Sequence, residues 1–242
     1  MKKLVSSVLI ILSIGMAYTV EMEKPTPLDD AKFLIEHNAT DEDTGFQFFV
    51  DGEPWNNLKV TGPNGSILEV KAKGNLAGFG LTEGFFETNE PENSEVSIPE
   101  VLSLFPEGQY LFKARNAETG AFMKRVATLT HAIPAMPEIT TPTEGQTVPG
   151  PTVLITWNPV TQSIYGMPVN IVGYQVIVES ESEEPVQSFF RNEFNVFLPA
   201  SQTTITVPAE FIKEGTEYEI EVLAIEESGN QTIGIREFET AD

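Results

Sequence analysis

Through the second half of the chain, apolar side chains recur at every second position in short runs. Val153, Ile155 and Trp157 do so, then Tyr174, Val176 and Val178, then Ile220, Val222 and Ala224. A period of two throws successive side chains to opposite faces of an extended strand, whereas a helix face needs spacings of three and four. Each run therefore reads as a half-buried strand. Ile205 and Val207, which precede Pro208, and Ile233, Ile235 and Phe238 add further strands. Many short strands separated by turn residues fold as a two-sheet sandwich.

The first half follows the same rule less cleanly. Phe46, Phe48 and Val50 alternate up to Asp51-Gly52, a dipeptide that favours a hairpin turn. Leu58-Lys59-Val60-Thr61 and Ile67-Leu68-Glu69-Val70 flank Pro63-Asn64-Gly65, a second turn signal. Ser97-Ile98-Pro99-Glu100 has the form of a capping box and predicts one short helix. Val101, Leu102 and Phe105 form its apolar face, and Pro106 stops it. Strands follow at Tyr110 to Ala114 and at Phe122 to Ile133.

Met1-Lys2-Lys3, the apolar run Leu4 to Ile14 and the small residues Gly15 and Ala17 read as an export signal cleaved after Ala17. That run is shorter than the roughly 20 residues a membrane span needs. The expected organisation is a signal over 1–17, a leader over 18–38 that holds Pro25 and Pro27, and two β domains over 39–135 and 136–242. Pro134-Ala135-Met136-Pro137 marks the boundary between the domains.

Two features of the second domain are more specific than periodicity. Phe211-Ile212-Lys213-Glu214-Gly215-Thr216-Glu217-Tyr218 has the pattern of an E–F corner whose tyrosine hydroxyl ties back to upstream backbone. Trp157 stands at the position of a buried strand-B tryptophan, and Ala224 to Gly229 fits an F–G turn. On these residues the segment from about 137 to 240 resembles a fibronectin type III domain. The integrin motif of that family, Arg-Gly-Asp, is absent, since the turn reads Glu227-Ser228-Gly229-Asn230. Glu107-Gly108-Gln109-Tyr110 echoes Glu214-Gly215-Thr216-Glu217-Tyr218 and favours a related sandwich in the first half. The string Thr40 to Trp55, with Gly74-Asn75-Leu76 and Leu81 to Glu87, is similar to secreted bacterial proteins that carry both halves in this order. That resemblance implies no activity. The expected fold is thus all-β: two tandem immunoglobulin-like or fibronectin type III-like sandwiches, with one short helix in the first.

Composition narrows the chemistry. With 14 basic and 36 acidic residues the net charge is −22, which opposes nucleic acid and anionic membrane surfaces. The absence of cysteine removes disulfides, thiol nucleophiles and cysteine-ligated metals, and His37 and His131 are the two histidines. No serine sits in a Gly-x-Ser-x-Gly elbow, and no glycine loop has the context of a phosphate cradle.

Asp41-Glu42-Asp43-Thr44-Gly45 resembles part of a calcium loop, but Asp51 and Glu53 are only loosely placed to complete it, so a solvated acidic turn is the preferred reading. Glu83, Glu87, Glu90 and Glu92 could form a glycosidase-like pair with another carboxylate, and Glu83 or Glu87 beside a second buried carboxylate in a cleft would favour a hydrolase. Trp55 follows a turn signal, either as an exposed platform for a sugar or, preferably, as the cover of one end of the first sandwich. Asn38-Ala39-Thr40 and Asn230-Gln231-Thr232 fit the glycosylation pattern. Glu217, Glu219 and Glu221 alternate with the apolar set and would keep an exposed strand edge from pairing with another chain.

The reading is a secreted or periplasmic, non-catalytic interaction module with no catalytic, cofactor-binding or metal residues and no cofactor. Its expected partner is a protein or a cell-surface polysaccharide, with no nucleic acid and no membrane insertion once the signal is removed. The alternatives are a carbohydrate- or calcium-dependent surface binder and, behind it, a hydrolase with paired carboxylates.

Overall fold

The computed structural model describes residues 26–180 and 193–242, and the expected export signal over 1–17 lies outside them. The first half holds β1 (Thr26–Pro27), β2 (Asp30–Asn38), β3 (Asp43–Gly62), β4 (Gly65–Lys71), α1 (Asn75–Phe79), β5 (Leu81–Glu87), α2 (Ile98–Leu104), β6 (Gly108–Asn116) and β7 (Phe122–Leu129). The second half holds β8 (Ile139–Thr141), β9 (Gln146–Val148), β10 (Val153–Trp157), β11 (Ile171–Ser180), β12 (Glu193–Pro199), β13 (Thr204–Val207), β14 (Glu217–Glu226) and β15 (Gln231–Thr240). Among the described residues no helix is long and apolar enough to cross a membrane.

In the second half β8, β10 and β13 form one sheet and β12, β11, β14 and β15 the other. Between them lie Val153, Ile155, Trp157, Tyr174, Val176, Ile220 and Val222, all buried, as the alternation requires. β14 pairs with β11 on one side and β15 on the other. The Glu217, Glu219 and Glu221 row therefore lies on a central strand, not on the exposed edge expected for it.

The first half is a second sandwich built around one long bent strand. From Asp43 to Asp51, β3 pairs with β2 and β5; from Asn57 onward it pairs with β6 and β4, with the register shifting between Asp51 and Trp55. Asp51-Gly52 is thus no hairpin. Gly52 is buried, with the Leu28 side chain 2.9 Å from where a Cβ would stand, so it serves close packing at the bend rather than a turn. Pro63-Asn64-Gly65 does turn, and Gly65 takes the positive φ of 111°.

The capping box forms as read: Glu100 accepts from the Ser97 backbone N–H at 3.0 Å, and Val101 and Leu102 are buried beneath α2. A second helix, the five-residue α1, was not expected and buries no side chain.

The stretch expected as a leader departs most from the reading. Residues 30–38 are strand β2, antiparallel to β3 and parallel to β15 through Glu36, His37 and Asn38. Phe33 and Ile35 enter the first core, His37 on the same face is buried against Thr44, and Glu36 on the opposite face is buried beside Gln231 of β15, while Lys32 on that face stays exposed. Through β2 and β15 the two sandwiches share one twelve-stranded sheet.

Candidate functional site

The two halves meet at a polar lock. Asn230, 1 % exposed, occupies the turn after β14, where Gly229 adopts a φ of 101°. Its Oδ1 accepts the Ile35 backbone N–H at 2.9 Å, and its Nδ2 donates to Thr130 O at 3.0 Å, Thr130 Oγ1 at 3.1 Å and Ala132 O at 3.3 Å. Thr232 Oγ1 donates to Pro134 O at 2.7 Å, and Ala39 N–H to Ile233 O at 3.0 Å. Every polar atom of the Asn230 side chain is used. It is consequently no glycan acceptor, despite its sequence pattern.

Beside this lock lies a carboxylate cluster. One oxygen from each of Glu36, Glu87 and Glu90 falls within 4.8 Å of the others. Gln231 Nε2 donates to Glu36 Oε2, and Gln47 Nε2 donates to Glu87 Oε1 at 3.1 Å. Glu90 Oε1 and Asp43 Oδ1 are buried without a hydrogen-bond partner. Burial, reinforced by Glu36, Asp43 and Glu87, pushes the Glu90 carboxyl up to about 7. Burial likewise raises Glu36 against the opposing Gln231 bond, and raises Asp43.

The outward face of the shared sheet carries a groove of about 450 Å³ across the joint. Leu34, Phe49 and Phe85 come from the first sandwich, and Val172, Phe197 and Ile225 from the second. Gln47 and Gln231 line the groove and also hold the carboxylate cluster, so the two features adjoin. Phe85, Val172 and Phe197 are 57 %, 52 % and 69 % exposed.

The residues singled out from sequence fare unevenly. Glu87 and Glu90 come together, with Glu36 as a partner hidden in the supposed leader, whereas Glu83 and Glu92 stay outside the cluster. Asp41 accepts from Asn38 Nδ2 at 2.9 Å. Asp43 and Asp51 stand at opposite ends of the strand segment that pairs with β2, separated by roughly 25 Å of extended chain, so they cannot share an ion. Trp55 is fully buried in the first core and donates to Thr82 O at 3.4 Å, which removes the sugar platform. His37 lies buried against Asp43 O and Thr44 Oγ1, and burial lowers its pKa; His131 bonds Phe105 O at 2.9 Å.

The E–F corner is present. Tyr218 Oη accepts from Lys213 N–H at 2.8 Å and donates to Phe211 O at 3.4 Å. The first half repeats the device, with Tyr110 Oη donating to Pro106 O at 2.8 Å. Each tyrosine is 1 % exposed, which turns the weak sequence echo between the two segments into a structural one.

No protein-family profile matches the chain, and no curated protein does so either. Among solved structures it is similar to the FN1-FN3 domains of chicken CNTN1, at 12% identity and a TM-score of 0.35 over 90% of this chain and 66% of that one, just under two thirds of its length. It is similar to the fn3 domain of human collagen alpha-1(XX) chain, at 16% identity and a TM-score of 0.31, over 46% of this chain and 89% of that one. A third similarity is to the third fibronectin III domain of human KIAA0343 protein, at 16% identity and a TM-score of 0.33, over 47% and 87%. With its buried Trp157, its corner tyrosine and its two facing sheets, the C-terminal half resembles a fibronectin type III domain.

Proposed function

We propose that the chain is an exported, non-catalytic interaction module that binds a protein or a cell-surface polysaccharide. The observation that supports this reading is the apolar groove across the joint, whose walls come from both sandwiches. Exposed apolar side chains scattered singly need no explanation, but several converging on one concavity are the mark of a binding surface. The bonds of Asn230 and the β2–β15 ladder hold the two walls in register, so a partner meets a preformed surface. The test is a pull-down with the purified chain, lacking residues 1–17, against intact cells and envelope extracts, with and without calcium. Retention of a discrete protein or glycan above an unrelated acidic control protein is expected. Retention no better than that control would overturn the reading.

A second reading, hydrolysis by paired carboxylates, has one observation in its favour. Exposed Glu87 stands beside buried Glu36, and Glu90 is held near 7, as a general acid would be. Against it, none of the three carboxylates lines the groove. Glu90 also packs onto Gly45, its Oε1 2.8 Å from where a Cβ would stand, which leaves no room there for a scissile bond. Hydrolysis of a glycoside panel that Glu90→Gln abolished would favour the enzyme reading instead.

A further inference from the structure

We propose that the groove across the joint receives a basic polypeptide segment of another protein, seating apolar side chains between Phe85 and Phe197 and turning a cationic side chain toward Glu87 and its neighbours. The inference rests on the interaction-module reading above and names the partner's chemistry.

Charge complementarity selects this occupant. The groove is apolar along its walls, adjoins three clustered carboxylates through Gln47 and Gln231, and carries Glu227 at its rim. Lys32 is the one cation among its described lining residues; its Nζ lies 5.6 Å above the Phe49 ring and 3.6 Å from Asp30. The chain's own ammonium thus already shows how this surface accommodates a cation, over an aromatic face with a carboxylate beside it. A second copy of the chain is disfavoured by mutual repulsion at a net charge of −22, and a polyanion by the same sign. A small cation without apolar groups would leave the Phe85, Val172 and Phe197 surfaces in water. A cation placed beside the cluster would also draw the proton from Glu90, so binding near pH 7 should release protons.

The experiment uses a fluorescent peptide of alternating lysine and leucine, titrated against the chain by anisotropy at about 0.15 M salt. Saturable binding is expected, weakened on the order of tenfold by Phe85→Ser with Phe197→Ser and several-fold by Glu87→Gln, with no binding of the matching glutamate–leucine peptide. Isothermal titration in two buffers of different ionisation enthalpy should show proton release that Glu90→Gln removes. Phe197→Ser alone provides the same comparison if the double variant melts early. Equal affinity for wild type and the phenylalanine variants would overturn the proposal, as would displacement of the peptide by spermidine at equal concentration, or no saturation. A natural partner captured equally by wild type and the double variant would leave the module reading standing and remove the groove from it.

Discussion

Replacing Asn230 by alanine removes four hydrogen bonds from the joint, and their partners decide the cost. The Ile35 N–H loses its acceptor in a strand whose side chain is fully buried, which costs about 1–3 kcal/mol for a stranded buried donor. The three bonds to Thr130 and Ala132 are worth about 0.5–1 kcal/mol each, with the Thr130 hydroxyl retaining Ser228 at 2.8 Å. A total of about 2.5–6 kcal/mol is therefore expected. Asn230→Asp should be worse, although it preserves the acceptor for Ile35. It points a carboxylate oxygen at Thr130 O and Ala132 O, so a donor becomes a repelled charge in a buried site.

Urea unfolding followed by tryptophan fluorescence measures both, because each half holds one buried tryptophan, Trp55 in the first core and Trp157 in the second. In a Trp157→Phe background the signal reports the first half; in Trp55→Phe it reports the second. The two transitions should coincide with Asn230 present and separate in Asn230→Ala. A cost below about 0.5 kcal/mol, or an aspartate variant milder than the alanine one, would refute the argument.

The remaining predictions are simpler. Tyr218→Phe and Tyr110→Phe should each cost about 1–2 kcal/mol by thermal or urea melts, since each hydroxyl ties a corner to backbone. Trp157→Ala should cost about 3–5 kcal/mol through the cavity it opens, and Trp157→Phe far less, because the buried indole N–H has no partner to lose. The Glu90 carboxyl has a folded pKa near 7 against a usual 4.5, so the folded state binds the extra proton between those values. Stability should fall as pH rises through that window, and Glu90→Gln should flatten the loss; an unchanged slope would refute it. His37, lowered by burial, acts in the opposite direction below its usual 6.5, so the Glu90 effect is read as the difference between variant and wild type.

What could be read in the sequence was whatever local pattern decides. In the second half, strands with one face to the core and one to water produce the alternation of Tyr174, Val176 and Val178 directly. Tyr218 was legible because its corner is closed within seven residues. Residues 30–38 read poorly for the opposite reason: Ala31, Phe33 and Ile35 alternate as a strand should, but β15, which pairs with the edge of that strand, and Gln231, which holds Glu36, lie about two hundred positions away. Asp51-Gly52 has the right chemistry for a turn, but the pairings that flank it come from four different strands, which override a two-residue preference. The acidic residues in and just after β5 stand out in the sequence, yet no spacing along the chain reveals that Glu36 would join Glu87 and Glu90.

Central to this account is that the two sandwiches act as one rigid surface, joined by the β2–β15 ladder and the Asn230 lock. Hydrogen exchange resolved to single amides tests it, at Ile35, whose N–H is held by Asn230 Oδ1, and at Ala39, whose N–H is held by Ile233 O. Both amides should exchange as slowly as those of Val176 and Val222 in the second core, through global opening alone. Exchange at the rate of exposed turn amides, while Val176 and Val222 stay protected, would show that the joint opens freely and would contradict the account.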